Sequence, residues 1–232
     1  MTSRAPAPRS RRERPAKPAL TYDGIVATAV AIMREEGLQR VTMRRLAQEL
    51  DTGPASLYVY VANTAELHAA ILEELLGAVD LSPSLAGSAG DWRDRLTAVL
   101  GSYTYTLFEH PSLARSALVA RPSGPNYLAL VEAVLTLLHE GDVPDAQAAR
   151  GVDVLLQVAT AAAVEQSTRG QDADAEDEHN ALVAVLCGVS AAQYPRIAAL
   201  GADLAAGSPD QRLDWIFRAV INGTRTTPVT PD

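Results

Sequence analysis

The stretch Val41–Asn63, VTMRRLAQELDTGPASLYVYVAN, leaves the backbone few choices. Met43, Leu46, Ala47 and Leu50 recur at i, i+3, i+4 and i+7, the spacing of one apolar stripe on an α-helix. Thr42 stands just ahead of that stripe, where its hydroxyl can accept a hydrogen bond from a first-turn N–H. Asp51-Thr52-Gly53 then breaks the period with residues that tolerate turn geometry. Pro54 suits the first turn of a second helix, because the N–H it lacks has no partner there. Leu57, Tyr58 and Val61 give that second helix its apolar spacing, and it is expected to end near Asn63. Two short helices joined by a glycine-containing turn form a helix-turn-helix pattern, whose second helix enters the major groove of DNA.

The rest of the chain is long enough to support such an element. Its 232 residues can hold one large domain or two modest ones with a substantial core. Ala and Leu dominate, and alternation of β-branched and aromatic residues is scarce, so an all-α fold is expected. The longest apolar run, Ala181 to Ala192, falls short of the roughly 20 residues that cross a bilayer. No apolar segment follows the basic N-terminus, so no secretory signal is read. One cysteine, Cys187, excludes an internal disulfide and suits the cytoplasm. Set among Val183, Leu186 and Val189, it is expected to be a small core residue.

Charge is unevenly placed. Residues 1–20 carry Arg4, Arg9, Arg11, Arg12, Arg14 and Lys17 against Glu13, a net +5, so the other 212 residues carry −13 for a total of −8. An acidic protein repels DNA, and a basic arm just ahead of the helix-turn-helix would offset that repulsion. Arg9, Arg11, Arg12 and Arg14 can pair with phosphates or enter the minor groove. The alternative is a solvated tail.

Helix signals recur along the chain. Thr21 caps a helix from Tyr22 to about Glu36, which Gly37 ends. Asn63 and Glu66 have the spacing of a capping box at the start of a helix running towards Val79. A Ser-, Gly- and Pro-rich loop from Leu81 to Gly90 marks a domain boundary. Further helices are expected from Asp91 through Leu107, from Pro111 to about Val119, from Gly124-Pro125 to Gly141, and from Pro144 to about Thr168. Gln171 to Glu178 reads as an acidic loop, Asn180 to Ala192 as a helix, and Tyr194-Pro195 as the start of a short turn. Ser208, Pro209 and Gln211 begin the last helix, whose apolar positions are Leu213, Ile216, Phe217, Val220 and Ile221 and which Gly223 ends.

From about Leu20 to Val79 the chain resembles the DNA-binding domain of the tetracycline-repressor (TetR) family of bacterial transcriptional regulators. The resemblance rests on Ala29 and Gly37, on Thr42-Met43-Arg44-Arg45-Leu46-Ala47, on Ser56-Leu57-Tyr58-Val59-Tyr60-Val61-Ala62-Asn63, and on Glu66-Leu67. GPNYLALVEAVLTLL and SPDQRLDWIFRAVINGT are similar to the ligand-binding and dimerisation domains of that family. The resemblance implies a homodimer, a palindromic double-stranded operator, and release of DNA when a small-molecule effector binds. It implies a basic arm over 1–19, a head over 20–80 with its motif at about 42–61, an effector and dimerisation domain over 81–225, and a tail over 226–232.

The same resemblance assigns residues. Pro54, Ala55, Ser56 and Tyr60 match positions that face the major groove; Ser56 and Tyr60 can donate hydrogen bonds, and Ala55 can meet a thymine methyl. Tyr58 matches a phosphate contact, with packing against the first helix as its alternative. Thr42 and Arg44 match phosphate and base contacts, while Arg45 reads either as a contact or as part of a solvated face. Thr64 departs from the family, where a lysine commonly anchors the DNA backbone.

An effector pocket is expected among the middle helices, with Tyr103, Leu107, His110, Tyr127 and Gln157 as candidate contacts and core packing as their alternative. A dimer seam is expected from the Pro144–Thr168 and Ser208–Asn222 helices of two subunits. Ala159, Ala162 and Ala163 would allow close approach, and Leu213, Phe217 and Val220 would fill the seam. The four histidines lie in separate segments without metal-ligand spacing, and no phosphate loop or nucleophile elbow appears, so neither a metal, a cofactor nor catalysis is expected. Two other readings stay open: a DNA-binding protein without effector control, and a helical scaffold that no longer binds DNA.

Overall fold

The computed structural model describes residues 19–118 and 122–230, and every regular element among them is helical. Arg9, Arg11, Arg12 and Arg14 lie outside the described residues. The head consists of α1 (Tyr22–Glu36), α2 (Met43–Glu49) and α3 (Pro54–Leu57), and α4 (Thr64–Leu76) leads out of it. The body consists of α5 (Trp92–Phe108), α6 (Pro111–Ala117), α7 (Pro125–Glu140), α8 (Asp145–Arg169), α9 (Ala175–Gly188), α10 (Pro195–Leu204) and α11 (Pro209–Thr226).

Side-chain caps set five of these eleven starts. Thr21 accepts from the Gly24 N–H, Thr42 from Arg45, Asp91 from Arg93, and Ser208 from Gln211 in a complete capping box. At α4 the box is shifted by one residue. Asn63 accepts from the Glu66 N–H at 2.9 Å, while the Glu66 carboxylate accepts from Ala62 at 2.7 Å, ahead of the expected partner.

One continuous core runs from Ile25 in α1 to Ile221 in α11. In the head, Ile25, Ala29, Leu46, Leu57, Leu67 and Ile71 are fully buried. In the body, α5 packs on α7 and α8, and α11 packs on α8 and α5. Arg95, buried on α5, pairs with Glu140 on α7 and donates to the Pro83 carbonyl at 3.2 Å. It thereby ties the interdomain loop to the body.

Four expectations are corrected. The second helix of the motif stops after one turn at Leu57 rather than near Asn63; Tyr60 and Val61 continue only as turns on the Leu57 carbonyl. The acidic segment belongs partly to α9, which starts at Ala175, because acidic residues suit the positive end of a helix. Pro195 opens a ten-residue helix rather than a short turn. Gly223 does not end α11, whose last turn is held by Gln147 donating to the Thr224 and Arg225 carbonyls.

The α9–α10 pair packs mainly on itself, so close that Gly201 lies against the Leu186 carbonyl. α9 buries no residue, and Leu182, Val185, Leu200 and Leu204 are exposed. Cys187, expected in a core, is exposed for the same reason.

Gly141 shows how tightly the body is packed. A Cβ there would overlap the buried Trp92 indole, although its φ of −82° suits any residue. Gly141→Ala should therefore cost about 1–3 kcal/mol through overpacking. Thermal unfolding checks this: a clear fall in midpoint is expected, and an unchanged midpoint contradicts the packing described.

Candidate functional site

The head presents a short, polar and mostly uncharged face. Arg44, Pro54, Ala55, Ser56, Tyr58 and Thr64 are all exposed, on the side not used to pack α2 and α3 on each other. Tyr58 is 54% exposed. Thr42 is exposed and caps α2, its oxygen accepting at 3.1 Å from Arg45 N–H.

The two motif arginines differ in what holds them. Arg45 reaches Glu36 at 2.6 Å and Glu49 at 2.7 Å, joining the end of α1 to both ends of α2. Its hydrogen bond to Glu36 is the chief reason that the Glu36 carboxyl lies below the usual glutamate value. Arg44 makes no ion pair with any described residue. Of the cations between Val41 and Asn63, only Arg44 is therefore uncommitted. Arg45 is a structural clamp, a role that the two sequence readings, DNA contact or solvated face, did not include.

Tyr60 is also engaged. Its hydroxyl donates to the Leu20 carbonyl at 2.8 Å, across the forty residues between the base of the N-terminal segment and the reading helix. That bond holds Leu20 beside the turn that follows α3.

The second feature is a small cavity of about 100 Å³ between α4, α5, α6, α7 and α8. Tyr103, Tyr127 and Gln157 of the expected contacts line it, with Leu72, Leu76 and Thr160 among the others. Leu107 does not: it is fully buried in the core. Neither does His110, which precedes α6 and whose imidazole is lowered below its ordinary value by burial. Asp153 and Thr160, missed from the sequence, share the α8 face of Leu156 and Gln157 at i, i+3, i+4 and i+7. Taking Gln157 as an anchor and applying that period would have found them.

Hydrogen-bond accounting fixes what the cavity offers. Thr160 donates its one proton to the Leu156 carbonyl at 2.8 Å, so Tyr103, 2.8 Å from the Thr160 oxygen, is the donor in that pair. Burial pushes the Tyr103 hydroxyl above its ordinary range, so it stays protonated. Its lone pairs remain as acceptors. Among the described residues, no Lys, Arg or His lines the cavity.

The expected seam residues divide. Ala159, Ala163 and Phe217 are buried inside the protomer, where α8 and α11 pack on each other and on α5, so they belong to the chain's own core. An apolar stripe shows that a face is covered, not by which molecule. Leu213 and Val220 are half-buried, and Val154 and Trp215 stand exposed on the same two helices.

A helix-turn-helix head joined by one helix to an all-α body with an internal cavity defines a class: DNA-binding regulators with a separate sensing domain. Comparison with known proteins gives the family. Residues 25–71 match the bacterial regulatory proteins of the tetR family, and residues 85–227 match the tetracyclin repressor-like C-terminal domain. The chain belongs to the TetR family of bacterial transcriptional regulators. A solved Streptomyces transcription regulator, SCO7704, is 58% identical, with 93% of this chain and 100% of that one covered and a TM-score of 0.75. ActR of Streptomyces coelicolor, solved in complex with actinorhodin, is 34% identical over 89% of this chain and 96% of its own, with a TM-score of 0.77. The repressor DrrR1 of Streptomyces coeruleorubidus is 36% identical over 135 residues, 58% of this chain and 49% of its own length. The chain thus spans about half the length of the first curated relatives it matches.

The two arginines give a test with a definite pH sign. Arg45→Ala should lower the thermal midpoint at pH 7 by leaving Glu36 and Glu49 without their shared partner, whereas Arg44→Ala should leave it unchanged. Because the Glu36 carboxyl is lowered in the fold, its contribution is present above the ordinary value of 4.5 and lost as pH falls through the lowered one. The gap in midpoint between wild type and Arg45→Ala should accordingly close below about pH 4. A gap that persists in acid contradicts the clamp.

Proposed function

We propose that this chain is a homodimeric, cytoplasmic repressor that binds a palindromic DNA operator and is released by a small molecule. The observation that carries this reading is the position of the cavity. Two of its walls, Leu72 and Leu76, belong to α4, which also packs on α1 of the head. A molecule entering there acts on the helix that carries the reading surface. The family supports the regulatory part, since its members are regulators rather than enzymes.

The lining selects a ligand chemistry. The acceptor oxygen of Tyr103, the amide of Gln157, the ring of Tyr127 and an apolar floor suit an aromatic compound that donates hydrogen bonds. ActR's complex with actinorhodin makes that compound the first probe to try.

On DNA, Arg44, Thr42, Ser56, Tyr58 and Thr64 supply the surface contacts, and Pro54 and Ala55 the apolar ones. A head with one uncommitted cation needs further positive charge, and the basic arm beginning just before Leu20 supplies it. The second copy covers the exposed apolar residues Val154 and Trp215 of the α8–α11 face, flanked by Leu213 and Val220.

Selection from a random duplex pool tests the reading: an inverted repeat should be enriched, and a compound such as actinorhodin should release it in a mobility-shift titration. Enrichment of no sequence contradicts it; enrichment without release by any compound favours DNA binding without effector control. On the selected duplex, removing residues 1–18 should weaken binding and flatten the dependence of affinity on salt. Arg44→Ala should reduce the salt slope by about one phosphate contact. A truncated protein with the wild-type slope rules out the arm.

A further inference from the structure

One contact crosses from head to body at the seam where the cavity lies. Gly124 caps α7 and has no side chain, so the first-turn N–H groups of that helix have no local partner. Glu73, on α4, supplies it from across the seam. One carboxylate oxygen accepts from the Asn126 N–H at 2.6 Å and the other from the Tyr127 N–H at 3.2 Å. Asn126 returns the contact, its side-chain amide donating to the Glu73 carbonyl at 3.0 Å. A carboxylate at a helix N-terminus also meets the positive end of the helix dipole. The approach is close: a Cβ on Gly124 would overlap the Glu73 side chain.

The neighbours of Glu73 give this contact its meaning. Leu72 and Leu76 flank it on α4, and Tyr127, whose N–H it holds, lies on α7; all three line the cavity. That cavity, at about 100 Å³, is smaller than the roughly 300–1,000 Å³ of pockets that hold small-molecule ligands. A ligand of ordinary size enters only if a wall moves. Two of its walls, α4 and α7, are held together at Glu73.

We propose that Glu73 is a latch: its carboxylate caps α7 from α4, keeps the cavity too small for a ligand in the DNA-binding form, and must let go when a ligand fills the cavity. This rests on the ligand-released repressor reading above. Glu73 touches neither DNA nor the cavity; it is a positioning residue whose loss uncouples head from body. Two substitutions reach it from opposite sides. Glu73→Gln keeps the shape but removes the charge and turns an amide donor towards the α7 N–H groups. Gly124→Ala pushes the Glu73 carboxylate off its seat, and at φ −84° it adds no backbone strain.

The test uses the full-length protein and the duplex recovered by selection. In the wild type, the duplex should slow hydrogen exchange at the Asn126 and Tyr127 amides, far from DNA. In both variants that slowing should vanish. Duplex affinity should fall about tenfold, within the roughly 5–150-fold range of allosteric coupling, while the footprinted sequence and cooperative unfolding stay as in the wild type. Wild-type or tighter affinity in both variants, or exchange at these amides that ignores the duplex, overturns the latch and leaves the repressor reading standing. Failure to select any duplex overturns that reading and the latch with it.

Discussion

The constraint on which this structure depends is that α4 serves two packing partners at once. It is thirteen residues long and carries six buried residues: Leu67, Ala70, Ile71, Leu72, Leu75 and Leu76. One apolar stripe accommodates 67, 71 and 75; 72 and 76 sit one position round, on a second stripe. A helix with a single partner needs only one of these. With α1 on one side and α5, α6 and α7 on others, α4 cannot shift against the body without carrying the head along. The acid Glu73 lies beyond the 72/76 stripe, and its carboxylate is spent on α7 rather than on either core.

Electrostatics then decides how the head works. The motif has two arginines, and folding commits Arg45 to Glu36 and Glu49. Rigidity is gained where DNA affinity would otherwise have come from. On the proposed reading, the remaining surface works through shape and hydrogen bonding more than charge, and dimerisation and the basic arm would carry the affinity. Tyr60, bound to the Leu20 carbonyl, sets where that arm begins.

Much of this was legible in the sequence because it is local. Caps at Thr21, Thr42, Asp91 and Ser208 report their own helices within three residues, and the all-α class follows from period and composition. The apolar stripes of α8 and α11 were also legible, but not what covers them. Ala159, Ala163 and Phe217 face the chain's own core, whereas Leu182, Val185 and Cys187, with equal apolar character, face outwards. Contacts between distant residues were not legible at all. Arg45 with Glu36, Tyr60 with Leu20 and Glu73 with α7 each join residues whose spacing carries no period. At the cavity, Tyr103, Tyr127 and Gln157 were found from residue type, while Asp153 and Thr160 needed the helical period applied outward from Gln157.

The central claim is that filling the cavity moves the heads. Spin labels at Val59, 81% exposed on the head, in a dimer whose exposed Cys187 is replaced by Ser, measure the separation of the two heads directly. Leu156→Trp puts an indole into the cavity in place of an effector. On the selected duplex, the parent protein should give one narrow distance, set by half-sites about one DNA turn, roughly 34–36 Å, apart. The Leu156→Trp protein should give a different separation and lose the duplex. A Leu156→Trp protein that folds, keeps the parent distance and binds the duplex as tightly would contradict the account.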